Sequence, residues 1–370
     1  MHPDSAQLQS DARLRSLRDL GPIDCDVHPP APRTADLLPY LDEHWREVMV
    51  SRGIDGLDLA LYPPNAPISA RPDFRPEGEG TDAALASVQS HVLEPWGTRA
   101  AILNCLHGAM ALHSEDMGAA LTGAVNAWLA REWLDRDPRL RASIVVAARS
   151  PELAVAEIER RAGDPRFVQV LMLVSGGMPL GRRFHWPIYA AAERHGLPIG
   201  IHAGSAHHHA PTTVGWPSYL AEDHVGTAAA FQTQLMSLIA EGALTKFPGL
   251  RVVLIESGVT WLAPFLWHAN KEWRGLRMEV PWLDRPPAAM VRDQVRLTVQ
   301  PLDGPPDPAE LERVLDQIGS DEMLLFSTDY PHWHFDGADA LPAGFPAHLI
   351  EKLALRNPLA TYPRLRETRP

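Results

Sequence analysis

Three features are scarce or absent in the sequence, and each absence narrows what the protein can be. No apolar run reaches the roughly 18 residues that a membrane-spanning helix needs. Cysteine occurs only at Cys25 and Cys105, which is too few for a disulfide scaffold and gives no zinc-knuckle spacing. Acidic residues (46) outnumber basic residues (34), for a formal net charge of −12. This charge argues against a nucleic acid or an anionic membrane as the partner.

The rest of the composition is that of a globular protein with a sizeable core. Hydrophobic residues make up 45% of the 370 residues and charged residues 22%. A chain of this length holds either one large α/β barrel or two ordinary domains. Residues 1–20 lack the apolar core of a targeting peptide, so we expect a helical or frayed extension there. With only two isolated thiols, these features predict a cytoplasmic protein.

Short apolar runs alternate with helical patterns along most of the chain. The runs predict eight strands, separated by helices in β-then-α order, which demands a parallel sheet. Eight such units fit a closed (β/α)8 TIM-like barrel better than a doubly wound sheet, since no Gly-x-Gly-x-x-Gly follows any strand. The predicted strands are 22–28, 100–105, 141–147, 167–173, 197–202, 250–255, 295–299 and 323–326. The predicted helices are 116–135, 151–162, 185–195, 226–241, 261–280, 308–318 and 346–355.

A loop-rich segment, residues 29–95, interrupts this alternation after the first strand. It contains several proline and glycine clusters, and helical patches are predicted only within 34–52. A structureless run of this length is unusual inside a compact domain. We therefore expect one barrel domain over 21–365, in which 29–95 is an insertion that forms a lid over a site or an oligomer contact.

Acidic and histidine residues occupy the predicted carboxyl ends of four strands. Asp26 and His28 share a strand face, because side chains two apart point the same way. His202 ends the fifth strand, Glu256 follows the sixth, and Asp329 follows the eighth. In a barrel these ends form one rim, so the side chains converge. Imidazole and carboxylate ligands without a thiolate suit a divalent ion such as Zn²⁺, Mn²⁺ or Fe²⁺.

Several short motifs carry a family resemblance. Asp-x-His at 26–28, Gly-Ile-His-Ala-Gly at 200–204, the segment 247–258 that ends in Ile-Glu-Ser-Gly, and Ser-Thr-Asp-Tyr-Pro-His-Trp at 327–333 are similar to motifs of the amidohydrolase-related family. The resemblance is to the branch typified by aminocarboxymuconate-semialdehyde decarboxylase, within the metal-dependent amidohydrolase superfamily. It covers about 23–355 and is weakest across 29–95.

The resemblance implies a distorted (β/α)8 barrel with one divalent metal ion, Zn²⁺ as the expected ion and Mn²⁺ or Fe²⁺ as alternatives. The family's ligand positions match Asp26, His28, His202 and Asp329. This chain departs from the usual His-x-His at Asp26. It also has Glu256 where the decarboxylase has a histidine.

The predicted function is metal-dependent chemistry on a small carboxylated molecule. Asp329, Glu256 and His224 are the candidate catalytic proton carriers, with His224 expected in a loop before a helix. His332 and Trp333 are candidate substrate-binding residues. The leading hypothesis is non-oxidative decarboxylation of an aromatic or enolic acid, favoured by Asp26 through family analogy. Hydrolysis of an amide, lactone or C–C bond is the close alternative, and a catalytically silent binding subunit is the distant one. A homodimer or higher homo-oligomer is expected.

Overall fold

The fold is an eight-stranded parallel sheet that curls into a barrel, as the sequence predicts. Its strands are hydrogen-bonded in chain order from β1 to β8, and every neighbouring pair is parallel. The computed structural model describes residues 17–57, 59, 71–205, 209–332, 341 and 345–366. The strands are β1 Ile23–Val27, β2 Ala100–Leu103, β3 Leu140–Val145, β4 Phe167–Ser175, β5 Ile199–Ser205, β6 Val252–Ile255, β7 Val295–Thr298 and β8 Leu324–Leu325.

The barrel closes where the chain that follows β8 returns to β1. Cys25 N donates to Phe326 O at 2.9 Å, and Asp329 N donates to Asp26 O at 3.1 Å. His28 N completes this seam by donating to Tyr330 O at 2.7 Å. The seam leaves the first and last strands paired with each other, as barrel closure requires.

Helices cover the outside of the barrel and bury its apolar strands. Most strand residues are buried, because each strand is covered by barrel interior on one face and by helices on the other. Among the described residues no helix is long and apolar enough to cross a membrane. The main helices are α1 Thr34–Leu37, α2 Glu43–Arg52, α3 Gly80–Val88, α4 Glu115–Leu129, α5 Pro151–Arg161, α6 Trp186–Arg194, α7 Leu220–Ala240, α8 Leu262–Leu276, α9 Pro287–Gln294, α10 Pro308–Ile318 and α11 Asn357–Thr361.

Segment 29–95 is more helical than the sequence analysis expected. Helix α3 continues through a π-helical stretch, Gln89–Leu93, and a short turn, Glu94–Trp96. Its buried residues, among them Leu85 and Val88, recur at helical spacing and pack on the core. The proline and glycine clusters that flank this stretch obscured its period.

Three other boundaries differ from the prediction. Helix α7 begins at Leu220 rather than near residue 226, because the Glu222 carboxylate accepts from Tyr219 N at 2.8 Å and caps the helix start. Helix α9 was not predicted. The predicted final helix over 346–355 is replaced by short helical turns and α11, whose Asn357 Nδ2 donates to Leu324 O at 2.9 Å.

Trp96 links segment 29–95 to the barrel and provides a test of the fold. Its side chain is 1% exposed and its ring centroid lies 5.7 Å from that of Phe326. We expect Trp96→Ala to lower the free energy of unfolding by about 3–5 kcal/mol, because it leaves a large cavity. Trp267, which is 53% exposed on α8, is the matched control. Trp267→Ala should change the free energy of unfolding by about 0.5 kcal/mol or less. Equal losses in urea denaturation would contradict this packing role.

Candidate metal centre

Six acidic and histidine side chains lie together at the carboxyl-terminal rim of the barrel. They lie in or directly after β1, in β5, and after β6 and β8. Parallel strands in a barrel end at one rim, so these side chains meet there. Strand β5 extends three residues beyond His202, although the sequence predicted that this histidine would end the strand. The six are Asp26, His28, His202, Glu256, Asp329 and His332.

The four predicted metal ligands converge. Ligand atoms of Asp26, His28 and His202 all lie within 4.8 Å of one another. Asp26 Oδ1 is 3.2 Å from His28 Nε2 and 3.5 Å from His202 Nε2. Asp329 Oδ1 lies 3.2 Å from the same His28 nitrogen. Three of the four side chains are fully buried and His28 is 5% exposed, so the arrangement is shielded from water.

Backbone carbonyls orient both imidazole rings. His28 Nδ1 lies 3.0 Å from Asn104 O, and His202 Nδ1 lies 2.7 Å from Ala203 O. A carbonyl oxygen only accepts, so each neutral ring carries its proton on Nδ1 and leaves a lone pair on Nε2. Both Nε2 atoms face the Asp26 carboxylate. This is the tautomer that metal-binding histidines use when their other nitrogen is held by an outer partner.

A second group of side chains shares two members with the first. Ligand atoms of His28, Glu256, Asp329 and His332 also lie within 4.8 Å of one another. His332 Nδ1 is 2.8 Å from Asp329 Oδ1 and 3.5 Å from Glu256 Oε1, and its ring stacks on His28 at 4.1 Å. Burial favours neutral His332, but the charge of Asp329 outweighs it and raises the pKa of His332 to about 9. His332 therefore lies beside a candidate ligand, and its substrate role stays a prediction.

The backbone at two of these residues is unusual. Glu256 and Asp329 have φ of 56° and 57°, in the left-handed region that non-glycine residues rarely adopt. Such a conformation costs of order 1–3 kcal/mol and persists only where the surroundings hold it. The seam with β1 holds Asp329, and Thr298 Oγ1 accepts from Glu256 N at 3.1 Å.

The charges in the cluster favour a cation at its centre. Burial lowers the pKa of His28, but the facing Asp26 carboxylate outweighs it and raises that pKa well above its usual value. For His202, burial is outweighed by the charges of Asp26 and Glu256, and the pKa is raised. Burial also penalises the Asp26 carboxylate, yet both histidines hold its pKa below the usual range. A divalent ion supplies the same positive charge in place of the protons.

The donor set fits a divalent metal ion. Asp26 Oδ2, His28 Nε2 and His202 Nε2 are buried and have no hydrogen-bond partner of good geometry among the described residues. Buried polar atoms are rarely left unsatisfied, because each costs about 1–3 kcal/mol. A metal ion at this position would satisfy them. Nitrogen and carboxylate oxygen donors of this kind suit Zn²⁺, Mn²⁺ and Fe²⁺ alike.

Two predicted site residues, His224 and Trp333, are not among these six. His224 was expected in a loop, but the early start of α7 makes it the fifth residue of that helix, with an exposed side chain. Neither candidate metal-binding group among the described residues includes His224. Trp333 lies outside the described residues.

A further buried carboxyl group beside the site was not predicted. Thr328 Oγ1 donates to Asp24 Oδ2 at 2.6 Å, and the backbone nitrogens of Asp26 and Thr328 donate to Asp24 Oδ1 at 3.1 Å each. Burial raises the pKa of Asp24 to about 7, although these hydrogen bonds oppose it. Asp24 therefore braces the segment that carries Asp329. Its alternation with Asp26 on β1 was the sequence pattern that could have identified it.

The metal-binding prediction can be tested without a substrate. We expect the purified chain, dialysed against buffer, to retain a stoichiometric divalent ion by mass spectrometry of the metals. Asp329→Asn should lose it, because the change removes a ligand charge and little volume. His185, a buried histidine outside both groups, is the matched control, and His185→Gln should keep the ion. A well-folded parent chain without metal would contradict the assignment.

Comparisons with known proteins agree with this architecture. The family model described as amidohydrolase matches residues 23–364, whereas no curated protein matches the chain. An amidohydrolase from Mycobacterium avium subsp. paratuberculosis K-10 superposes with a TM-score of 0.67 at 19% identity, over 92% of this chain and 98% of that chain. A 5-carboxyvanillate decarboxylase from Sphingomonas paucimobilis superposes with a TM-score of 0.65 at 19% identity, over 93% and 99%.

A third similar structure contains a metal ion. It is a dihydroxybenzoic acid decarboxylase from Polaromonas sp. JS666, with bound manganese and the inhibitor 2-nitroresorcinol. Its TM-score is 0.64 at 18% identity, and the match covers 95% of this chain and 98% of that chain. At such identities these structures establish the shared barrel, and the family model establishes membership. The chain belongs to the amidohydrolase family and is a metal-dependent enzyme of the amidohydrolase superfamily.

Proposed function

We propose that this enzyme catalyses the non-oxidative decarboxylation of a small aromatic or enolic carboxylic acid. The observation that carries the proposal is the buried convergence of Asp26, His28, His202 and Asp329 at the barrel rim. Structural similarity to decarboxylases of dihydroxybenzoic acid and of 5-carboxyvanillate supports the substrate class. Asp26 at the first ligand position also favours decarboxylation, by analogy with the family.

The proposed cofactor is one divalent ion held by those four side chains. Zn²⁺ is the expected ion, and Mn²⁺, which one similar structure contains, and Fe²⁺ are the alternatives. When bound, such an ion polarises a substrate oxygen and lowers the pKa of its water.

Decarboxylation needs one proton from the protein. The bond between the ring or enol carbon and the carboxylate breaks, carbon dioxide leaves, and a proton is added to that carbon. Asp329 is the proposed donor, because His332 Nδ1 lies 2.8 Å from Asp329 Oδ1 and can return a proton to it. Glu256 Oε1, 3.5 Å from the same nitrogen, is the second proposed carrier. His332 and Trp333 are proposed to line the substrate space.

Segment 29–95 is proposed to shape that space. Arg71 N donates to Pro331 O at 3.1 Å, and Tyr330 Oη donates to Phe74 O at 3.2 Å. His91 Nδ1 also lies 3.0 Å from Tyr330 Oη. These contacts join the segment to the chain directly after Asp329, so a substrate that enters the rim meets both.

Isotope labelling distinguishes decarboxylation from hydrolysis. Incubation of the metal-loaded enzyme with a panel of hydroxylated benzoic acids should release carbon dioxide. In heavy-oxygen water the organic product should contain no label, and in deuterium oxide it should carry one deuterium on the carbon that lost the carboxylate. Asp329→Asn should abolish gas release. The matching amides and lactones are tested in parallel, and heavy oxygen incorporated into their products, with no carbon dioxide released from the acids, would instead establish hydrolysis.

The role of Glu256 can be separated from metal binding. We expect Glu256→Gln to lower kcat by about 10²–10⁴-fold, the range for loss of a proton carrier, while the variant keeps its metal ion. Glu241, which pairs with Arg182 away from the rim, is the control, and Glu241→Gln should retain the parental rate. Loss of the metal from Glu256→Gln would instead make Glu256 a ligand.

A further inference from the structure

Asn104 contacts both candidate ligands of the first strand. It follows β2, and its backbone nitrogen donates to Val27 O at 2.9 Å, which fixes it beside β1. Its side-chain Nδ2 donates to Asp26 Oδ1 at 2.8 Å, and its backbone oxygen lies 3.0 Å from His28 Nδ1. One fully buried residue therefore restrains the carboxylate of one ligand and the ring of the next.

The orientation of the Asn104 amide is determined by its surroundings. Nδ2 faces two groups that only accept, the Asp26 carboxylate and Cys25 O at 3.3 Å. Oδ1 accepts from Ser143 Oγ at 2.6 Å and from Gln169 Nε2 at 3.3 Å. A flipped amide would turn its oxygen towards a carboxylate and a carbonyl, which cannot donate to it, and its nitrogen towards the amide nitrogen of Gln169.

This amide ends a chain of polar side chains that crosses the barrel interior. Gln169 Nε2 also donates to Ser143 Oγ at 2.8 Å, and Tyr362 Oη donates to Gln169 Oε1 at 3.1 Å. The Gln169 side chain occupies space that only glycine leaves open at position 200, where a Cβ would lie 2.5 Å from Gln169 Cδ. All four polar side chains, those of Asn104, Ser143, Gln169 and Tyr362, are fully buried. A buried polar side chain without a hydrogen-bond partner would cost free energy of folding, so these four side chains depend on one another.

We propose that Asn104 is a positioning residue for the metal centre, and that the interior chain Ser143–Gln169–Tyr362 holds its amide in place. The proposal rests on the metal site described above and is independent of the reaction performed there. Asp26 has a short side chain, and its carboxylate can rotate unless an outer partner restrains it. Asn104 supplies that restraint through the hydrogen bond from its Nδ2 to Asp26 Oδ1. Outer partners of this kind contribute about 10- to 100-fold to metal affinity.

Asn104→Asp tests the side-chain donor and leaves the backbone contact with His28 in place. The variant keeps the size of the side chain, an oxygen for Ser143 and Gln169 to contact, and the backbone carbonyl near His28. It replaces the N–H donor to Asp26 with an oxygen. We expect the Kd for Zn²⁺, measured by competition with a chelator, to rise by about 10- to 100-fold. The stabilisation that added Zn²⁺ gives to the apo chain in thermal melts should fall in parallel.

Asn126 provides a matched control for a buried asparagine that contacts a carboxylate. Its Nδ2 donates to Glu157 Oε1 at 2.9 Å and to Val145 O at 2.8 Å, between α4 and β3. Asn126→Asp introduces the same oxygen against a carboxylate, away from the metal centre. We expect it to lower the Tm of the apo and metal-loaded forms alike and to leave the Kd for Zn²⁺ unchanged. A merely structural role for Asn104 would give the same pattern.

The outcomes separate this proposal from the proposed reaction. A parental Kd in Asn104→Asp, or equal weakening in Asn126→Asp, would overturn the positioning role. If Asn104→Asp does not fold, Ser143→Ala decides, because it removes one of the two donors to the Asn104 amide. A several-fold weaker Kd in that variant supports the proposal, and an unchanged Kd overturns it. Failure of the chain to release carbon dioxide would leave these metal affinities unaffected.

Discussion

The candidate centre depends on the seam where the chain after β8 pairs with β1. Asp329 N donates to Asp26 O, so the backbone of one candidate ligand is hydrogen-bonded to that of another. Because these residues are about 300 positions apart in a chain of 370, only barrel closure brings them together. The seam also maintains the left-handed backbone at Asp329. Local strain at the rim is thus balanced by hydrogen bonds that belong to the fold.

Electrostatics explains why this cluster is suited to binding a cation. Burial alone would push each carboxylate and imidazole towards its neutral form. The mutual proximity of Asp26, His28 and His202 reverses this tendency, and the histidine pKa values are raised instead. The barrel therefore brings together groups that are stable when positive charge lies among them. A divalent ion meets that requirement and also satisfies the buried nitrogen and oxygen atoms.

The interior of the barrel is polar as well as packed. Most barrels fill this space with branched apolar side chains, yet here Asn104, Ser143, Gln169 and Tyr362 form a connected network below the rim. Such a network rigidifies a site only when every member is paired. The geometry indicates that the polar interior supports the rim, whereas the aliphatic residues between strands and helices stabilise the fold.

The strand order, the barrel and the grouping of the rim residues could be predicted from the amino-acid sequence. Strict β-then-α alternation permits few topologies, and carboxyl ends of parallel strands share one rim, so Asp26, His28, His202, Glu256 and Asp329 could be grouped without coordinates. Sequence patterns did not predict the helix boundaries that depend on tertiary contacts or on side-chain caps. The helices within 29–95 are stabilised by packing on the core, and the start of α7, which moved His224 out of its predicted loop, depends on a side-chain cap.

The orientation of the rim residues depends on tertiary contacts and could not be predicted from the sequence. The carbonyl oxygen of Asn104 determines which nitrogen of His28 faces the metal centre. Asn104 was not predicted as a site residue, because a single asparagine after a strand forms no recognisable sequence pattern. The same holds for Asp24, whose partner Thr328 is distant in the chain. Hydrogen bonds between residues far apart in sequence leave no local periodicity. The candidate ligands can therefore be predicted from the sequence, whereas the residues that orient them cannot.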